Sequence, residues 1–173
     1  LERDWGWTDI MVDSHLMPGI QKNLRDGDWK VTAVIHKDME TSRPSLIALY
    51  PGLKNAAYGI ACDIGSTTIA LHLVSLLSGA TIASSGISNP QIRFGEDLMS
   101  RVSYVMMNPE GREAMTVAVR EALNGLIGNV CSEAGIERDD IYDMVFVGNP
   151  IMHHLFLGID PTELGGAPAW PAS

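Results

Sequence analysis

Cysteine is nearly absent from this chain: 173 residues hold two, Cys62 and Cys131, 69 positions apart. Two so widely spaced make neither a disulfide framework nor a zinc site, and their scarcity suits a reducing compartment, so a cytoplasmic protein is expected. Cations are also few, with 12 Lys and Arg against 21 Asp and Glu and a net charge of −9. A general nucleic-acid binder needs the opposite balance to neutralise phosphates, so no nucleic-acid partner is expected. Long apolar runs are missing too. None approaches the roughly 18 residues of a membrane span, so no membrane partner is expected. The opening Leu1-Glu2-Arg3-Asp4 carries no signal-peptide pattern. Charged residues make up only 19% and hydrophobic ones 46%. That composition is too apolar for disorder, and the length suffices for a core without metal or disulfide staples.

What charge there is falls unevenly. Residues 1–56 carry seven basic and eight acidic side chains, and residues 57–173 carry five and thirteen. All four lysines and three of the four tryptophans (Trp5, Trp7, Trp29) lie in the first part. The shift divides the chain into a unit over 1–56 and another over 57–173, with the turn-forming stretch Tyr50-Pro51-Gly52-Leu53-Lys54-Asn55 as the joint.

The first unit reads as a small α+β domain. Leu16, Met17, Ile20 and Leu24 recur at helical spacing, and Gly27 is placed to stop that helix. Trp29, Val31, Ala33 and Ile35 alternate as one face of a strand, and residues 45–50 form a second short strand. The acids and lysines here read as solvated surface and the tryptophans as packing anchors.

The second unit opens with three apolar runs, at 58–62, 67–74 and 80–87, joined by short turns. Such spacing predicts an antiparallel meander, and the apolar character of both faces predicts helices over each. A helix over 95–107 follows, with Glu96 and Asp97 in its first turn and Asp97 paired to Arg101 at i,i+4. A longer helix spans 110–134, its stripe formed by Met115, Val119, Leu123, Leu126 and Val130, and Gly135 is its stop. Residues 144–147 read as a buried strand. Asn149 and Pro150 then read as N-cap and first residue of a short helix to Leu157. The tail from Ile159 shows no clear element. The fold class is therefore α/β in the order β-β-β-α-α-β-α.

The turn after the first of these strands holds the strongest chemical signal, Asp63-Ile64-Gly65-Ser66-Thr67-Thr68. A carboxylate ends a strand, a glycine permits close backbone approach, and three hydroxyl residues follow with their N–H groups. Such turns form anion nests for phosphate, and a carboxylate there suits Mg²⁺ held directly or through water. On these residues alone, a plain Gly hairpin rich in strand-forming Thr reads equally well.

The run Gly59-Ile60-Ala61-Cys62-Asp63-Ile64-Gly65-Ser66-Thr67-Thr68 resembles the first phosphate loop of the actin-like (ribonuclease H-like) ATPase superfamily. More narrowly, residues 89–97 (Asn-Pro-Gln-Ile-Arg-Phe-Gly-Glu-Asp) and 147–158 (Val-Gly-Asn-Pro-Ile-Met-His-His-Leu-Phe-Leu-Gly) are similar to segments of the reductive activators of corrinoid proteins. Residues 24–32 (Leu-Arg-Asp-Gly-Asp-Trp-Lys-Val-Thr) resemble the middle domain of the same family.

The resemblance implies a small middle or linker domain over 1–56 and the N-terminal half of an actin-like ATPase domain over 57–173. It implies a protein with an upstream iron–sulfur cluster that uses ATP and Mg²⁺ to drive an electron to an inactivated corrinoid protein. Cobalt(II) is thereby returned to cobalt(I) for a methyltransferase system. By the family pattern Asp63 is the metal-associated acid, and Gly65, Ser66, Thr67 and Thr68 hold phosphates. Gly148 and Asn149, at a strand C-terminus, are further cofactor-binding candidates. A homodimer is a possible state. No cysteine cluster, second phosphate loop or adenosine loop is found in the sequence. The chain is therefore expected to be a piece of the family's full length, unable to hydrolyse ATP efficiently by itself. Ser66 stands where Thr is commoner in the superfamily loop, and it keeps the hydroxyl.

Two other readings compete. Another actin-like enzyme would need either substrate loops, as a sugar kinase, or cluster-ligating cysteines, as a dehydratase activator. A non-catalytic interaction module would use the acidic surface. The remaining suggestive residues have plain explanations. His153 and His154 point about 100° apart on a helix. His72 reads as a satisfied strand histidine, Cys62 as buried and inert, and the nine methionines as gap-fillers. The acids Glu137, Asp139, Asp140 and Asp143 lack the glycine of a calcium loop.

Overall fold

A computed structural model describes residues 5–37 and 42–165. The chain divides into two compact units, Leu1–Asn55 and Ala56–Ser173.

In the first unit, a 3₁₀ turn (Ser14–Gly19) containing Pro18 leads into helix α1 (Ile20–Asp26). Strands β1 (Met11–Val12), β2 (Val31–Lys37) and β3 (Pro44–Pro51) form a sheet in the order β1-β3-β2, β1 parallel to β3 and β2 antiparallel to it. Gly27 ends α1 as expected, but the need for glycine comes from crowding. A Cβ there would lie 2.2 Å from the Lys30 carbonyl oxygen and 2.8 Å from the Gly52 nitrogen. Asp28 and Trp29 follow with φ of +49° and +62°. Trp29 thus belongs to the turn and not to the strand face, and with Trp5 it is exposed, which corrects its reading as a packing anchor. Among the described residues of this unit, only Leu46 is fully buried. A unit this small buries too little to be strongly stable alone.

The second unit is built on a four-stranded sheet of β4 (Tyr58–Ile64), β5 (Thr68–Ser75), β6 (Thr81–Ser88) and β7 (Ile141–Val147), ordered β6-β5-β4-β7. The first three form the antiparallel meander, and β7 joins β4 in parallel, with Asp63 opposite Val147. The order is β-β-β-α-α-β-α as expected, with two helices between β6 and β7. Helices α2 (Leu98–Met107), α3 (Gly111–Ala134), α4 (Pro150–Leu157) and α5 (Thr162–Gly165) complete it. The short α5 lies in a tail where no element is legible in the sequence.

The core follows from two periodicities. Along α3, Met115, Val119, Leu123, Leu126 and Val130 recur every three or four residues and are each at most 3% exposed. They belong to one buried cluster with Ile60, Cys62 and Ile64 of β4 and Ile69, Leu71 and Leu73 of β5, which alternate along their strands. Thr116 on α3 donates its hydroxyl to the Leu155 carbonyl of α4 at 2.7 Å, tying the two helices. Gly135, in the left-handed region at φ +65°, closes α3. Gly125 is different. It is exposed, and a Cβ there would have nothing within 4 Å. Gly125→Ala should therefore stabilise the unit by about 0.5–1 kcal/mol, the intrinsic helix cost of glycine, read as a higher denaturation midpoint.

Among the described residues, helices cover one face of this sheet and not both as expected. On the other face Ala61, His72, Ser84 and Val145 are exposed. That side of β4 and β5 carries small and polar residues, the signature of a one-sided antiparallel sheet. Strand β7 is likewise not buried: Met144, Val145 and Val147 are 41%, 56% and 53% exposed. It pairs with β4 alone among the described residues, so one of its edges has no neighbouring strand.

Candidate functional site

Residues 65–67 make the tight connection between β4 and β5. The Gly65 N–H donates to the Thr68 carbonyl at 3.0 Å. A Cβ on Gly65 would stand 2.6 Å from that same oxygen, so only glycine fits. Asp63 occupies the last turn-ward position of β4 whose side chain is exposed, and Thr67 and Thr68 are exposed as well.

The loop is held by its carbonyl groups. The Asn89 side-chain amide donates to the Gly65 carbonyl at 2.8 Å, and the Asn89 backbone N–H donates to the Thr67 carbonyl at 2.7 Å. Between them, a guanidinium nitrogen of Arg101 donates to the Ser66 carbonyl. Three successive acceptors are thereby turned toward the protein. Among the described residues, the N–H groups of Ser66 and Thr67 have no protein acceptor. Two adjacent free amide donors, with three hydroxyls beside them and no Cβ at Gly65, form a donor set suited to a phosphate.

The support beneath the loop is itself ordered. Asn89 (1% exposed) caps the 3₁₀ turn Pro90–Phe94, its Oδ1 accepting from the Gln91 N–H at 2.9 Å. Gln91, equally buried, donates to the Met115 carbonyl of α3 at 3.1 Å. The Met152 sulfur lies 3.8 Å from Asn89 Nδ2 and 3.4 Å from Arg101 Nη1. Arg101 Nε also donates to the Gly95 carbonyl at 2.9 Å.

This arrangement corrects the expected Asp97–Arg101 pair. Helix α2 begins at Leu98, and Asp97 is its N-cap, accepting from the Ser100 N–H at 2.7 Å. That bond holds the Asp97 carboxyl below its ordinary range. Arg101 points inward instead and is fully buried. Burial lowers its pKa, and the Asp97 charge opposes that shift.

Parallel pairing of β4 and β7 brings Gly148 to the same end of the sheet. A Cβ on Gly148 would lie 3.0 Å from the Ile64 carbonyl oxygen, so glycine permits the close passage of the two chains. Asn149 is a cap: its Oδ1 accepts from the Met152 N–H at 3.0 Å, as the Asn-Pro pattern predicts. Asp63, the residues 65–68 and Gly148 thus share one end of the sheet, while the Asn149 carboxamide oxygen is committed to its helix. Among the described residues no group of three or more His, Cys, Asp or Glu converges. A Mg²⁺ here would have Asp63 as its single protein carboxylate, which fits an ion that keeps most of its waters.

Asn89, Gln91 and Met152 lie in the segments that resemble the family but carry no expected role, and Arg101 lies outside every quoted motif. For Asn89 a local signal exists, since Asn89-Pro90 repeats the cap pattern of Asn149-Pro150.

Cys62 lies inside β4 at 3% exposure. Burial, aided by the Asp63 charge, pushes its thiol from an ordinary 9.0 up to about 11. The folded protein should not react with iodoacetamide at Cys62 at pH 8, and unfolding should expose it to labelling. The raised value has a linkage consequence. The stability it supplies is complete below the ordinary thiol range and is lost as the pH climbs toward 11.

The comparisons with known proteins divide the chain at the same place. The family description "RACo linker region" matches residues 1–56, and "RACo middle region" matches residues 58–173. The region described as middle is thus the second unit with its four-stranded sheet, and residues 24–32, which resemble a middle domain, fall in the part described as linker. A corrinoid activation enzyme of Eubacterium limosum, RamQ, is 41% identical over 111 residues, covering 64% of this chain and 19% of that protein. A solved structure of a "reductive activator for corrinoid, iron-sulfur protein" matches with a TM-score of 0.84 at 33% identity, over 99% of this chain and 27% of that one. The chain spans about a fifth to a quarter of the length of these relatives.

Proposed function

The chain belongs to the RACo family, and from that premise we propose that it is the linker and middle part of an ATP-dependent reductive activator of a corrinoid protein. In this reading the complete protein receives an electron at an iron–sulfur cluster lying outside this sequence. It passes that electron to the corrinoid cobalt, converting cobalt(II) to cobalt(I), and ATP supplies the driving force. The partners are the corrinoid protein and its methyltransferase system, and the setting is the cytoplasm. Among the described residues no helix is long and apolar enough to cross a membrane.

One observation carries the nucleotide part of this reading. The Gly65, Ser66 and Thr67 carbonyls are all bound from behind, and the Ser66 and Thr67 amides are left as donors. The second unit then contributes one half of the nucleotide site. Ser66 and Thr67 bind a phosphate through their N–H groups, the hydroxyls of Ser66, Thr67 and Thr68 add donors, and Gly65 and Gly148 add no side chain at this end of the sheet. Asp63 orients water. Mg²⁺, when bound near it, supplies charge neutralisation for the phosphates. Nucleotide-dependent motion of such a half-domain selects between states of the complex, and the electron transfer is favoured in one of them.

Calorimetric titration of the complete protein with ATP and Mg²⁺ tests the site. The reading expects saturable binding that weakens on Asp63→Asn, and absence of binding to the unaltered protein would overturn it.

A further inference from the structure

The buried guanidinium of Arg101 has no place in the family pattern quoted above, yet it is the most unusual group in the second unit. It is 0% exposed, and among the described residues no carboxylate lies within ion-pair distance of it. Burying a cation without a paired anion is costly, and folded proteins rarely do it. Its partners are neutral acceptors: the Ser66 carbonyl, the Gly95 carbonyl and the Met152 sulfur. The first of these belongs to the candidate phosphate loop.

We infer that Arg101 is a positioning residue for the phosphate site, its bond to the Ser66 carbonyl fixing the Ser66–Thr67 peptide so that the Thr67 amide faces the ligand, and its buried charge finding its counter-ion in the bound phosphate. This rests on the reading of the loop as a nucleotide phosphate site. The physical logic has two parts. A peptide whose carbonyl is held by a charge-assisted bond cannot flip, so the Thr67 N–H is oriented before the ligand arrives, as the Asn89 bond to the Gly65 carbonyl orients that of Ser66. A positive charge behind one layer of backbone also acts on an anion through a low-dielectric medium, where Coulomb attraction is strongly felt. A charge held this way does not touch the ligand, so it strengthens phosphate binding without setting what else binds.

The test compares ATP with adenosine, which lacks the phosphates. In the complete protein, Arg101→Met should weaken ATP binding by about 10- to 100-fold, the worth of one charge-assisted bond and its field. Adenosine binding should stay the same within about threefold, a difference of less than ~1 kcal/mol. Arg101→Lys, which restores the charge without the fork, should recover part of the ATP loss. Equal losses for ATP and adenosine, or an ATP affinity within threefold of the unaltered protein, would overturn the inference while leaving the nucleotide site standing. Absence of ATP binding to the unaltered protein would instead remove the site and the inference with it. Should Arg101→Met fail to fold, the unaltered protein decides. The ¹⁵N resonances of the Arg101 guanidinium should shift on adding ATP and not on adding adenosine, and no shift with ATP would overturn the role.

Discussion

Gly65→Ala is expected to weaken ATP binding to the complete protein by about 100-fold, the worth of two hydrogen bonds to a charged group at roughly 1.5 kcal/mol each. The new methyl carbon would sit 2.6 Å from the Thr68 carbonyl oxygen, and that neighbour is backbone, not a side chain that swings away. Relief requires the Gly65–Thr68 turn to open. Opening it moves the Ser66 peptide off Arg101 and the Thr67 carbonyl off Asn89, so the two donor amides lose their shared direction. The turn is flanked by Ile64 and Ile69 of the buried cluster, and parting Ser66 from Arg101 leaves a buried cation short of an acceptor, so some stability is lost as well. Calorimetry checks the affinity, and a far-ultraviolet circular dichroism spectrum unchanged at the titration temperature shows that the variant is folded. Retained affinity would mean that these amides do not face the ligand.

The second large effect concerns the sheet itself. Leu71 is wholly buried at the centre of β5, beside Cys62 on β4 and Ser85 on β6, and in the same cluster as the α3 stripe. Leu71→Ala should destabilise the protein by about 3 kcal/mol, within the usual range for a leucine whose space cannot collapse. Val145 offers the contrast. It is a large aliphatic residue in the same sheet, but on the open face and 56% exposed. Val145→Thr should change stability by no more than about 0.5 kcal/mol. Denaturant unfolding with an unchanged slope reads both. Comparable losses at the two positions would show that the open face is packed, contrary to the structure.

These two positions also mark what the sequence makes legible. Leu71, Ile69 and Leu73 alternate with Ala70, His72 and Val74, and the α3 stripe runs for more than four turns to a glycine stop. Long regular patterns of this kind survive tertiary context, so the meander, the long helix and their shared core are readable. The loop is readable because glycine and hydroxyl residues cluster where a strand ends.

What is not readable depends on where a helix starts. Moving the start of α2 from Gly95 to Leu98 makes Asp97 a cap, turns its carboxylate to Ser100, and frees Arg101 to enter the core. Spacing alone cannot make that distinction. Residues 144–147 (Met-Val-Phe-Val) are apolar enough to be read as buried, yet burial depends on neighbours that composition does not specify. Trp29 leaves the strand pattern for a related reason: crowding at Gly27, invisible in a linear pattern, accompanies a left-handed turn through Asp28 and Trp29 before β2 begins.

In the proposed function, the loop from Asp63 to Thr68 couples ATP to corrinoid reduction. The most direct measurement follows cobalt(I) absorbance in a candidate corrinoid protein held at cobalt(II), mixed with the complete protein carrying a reduced iron–sulfur cluster. Cobalt(I) should appear on adding ATP and Mg²⁺, and should fail to appear with Gly65→Ala at the same nucleotide concentration. Cobalt(I) formed equally well without ATP, or at an undiminished rate with Gly65→Ala, would contradict the account.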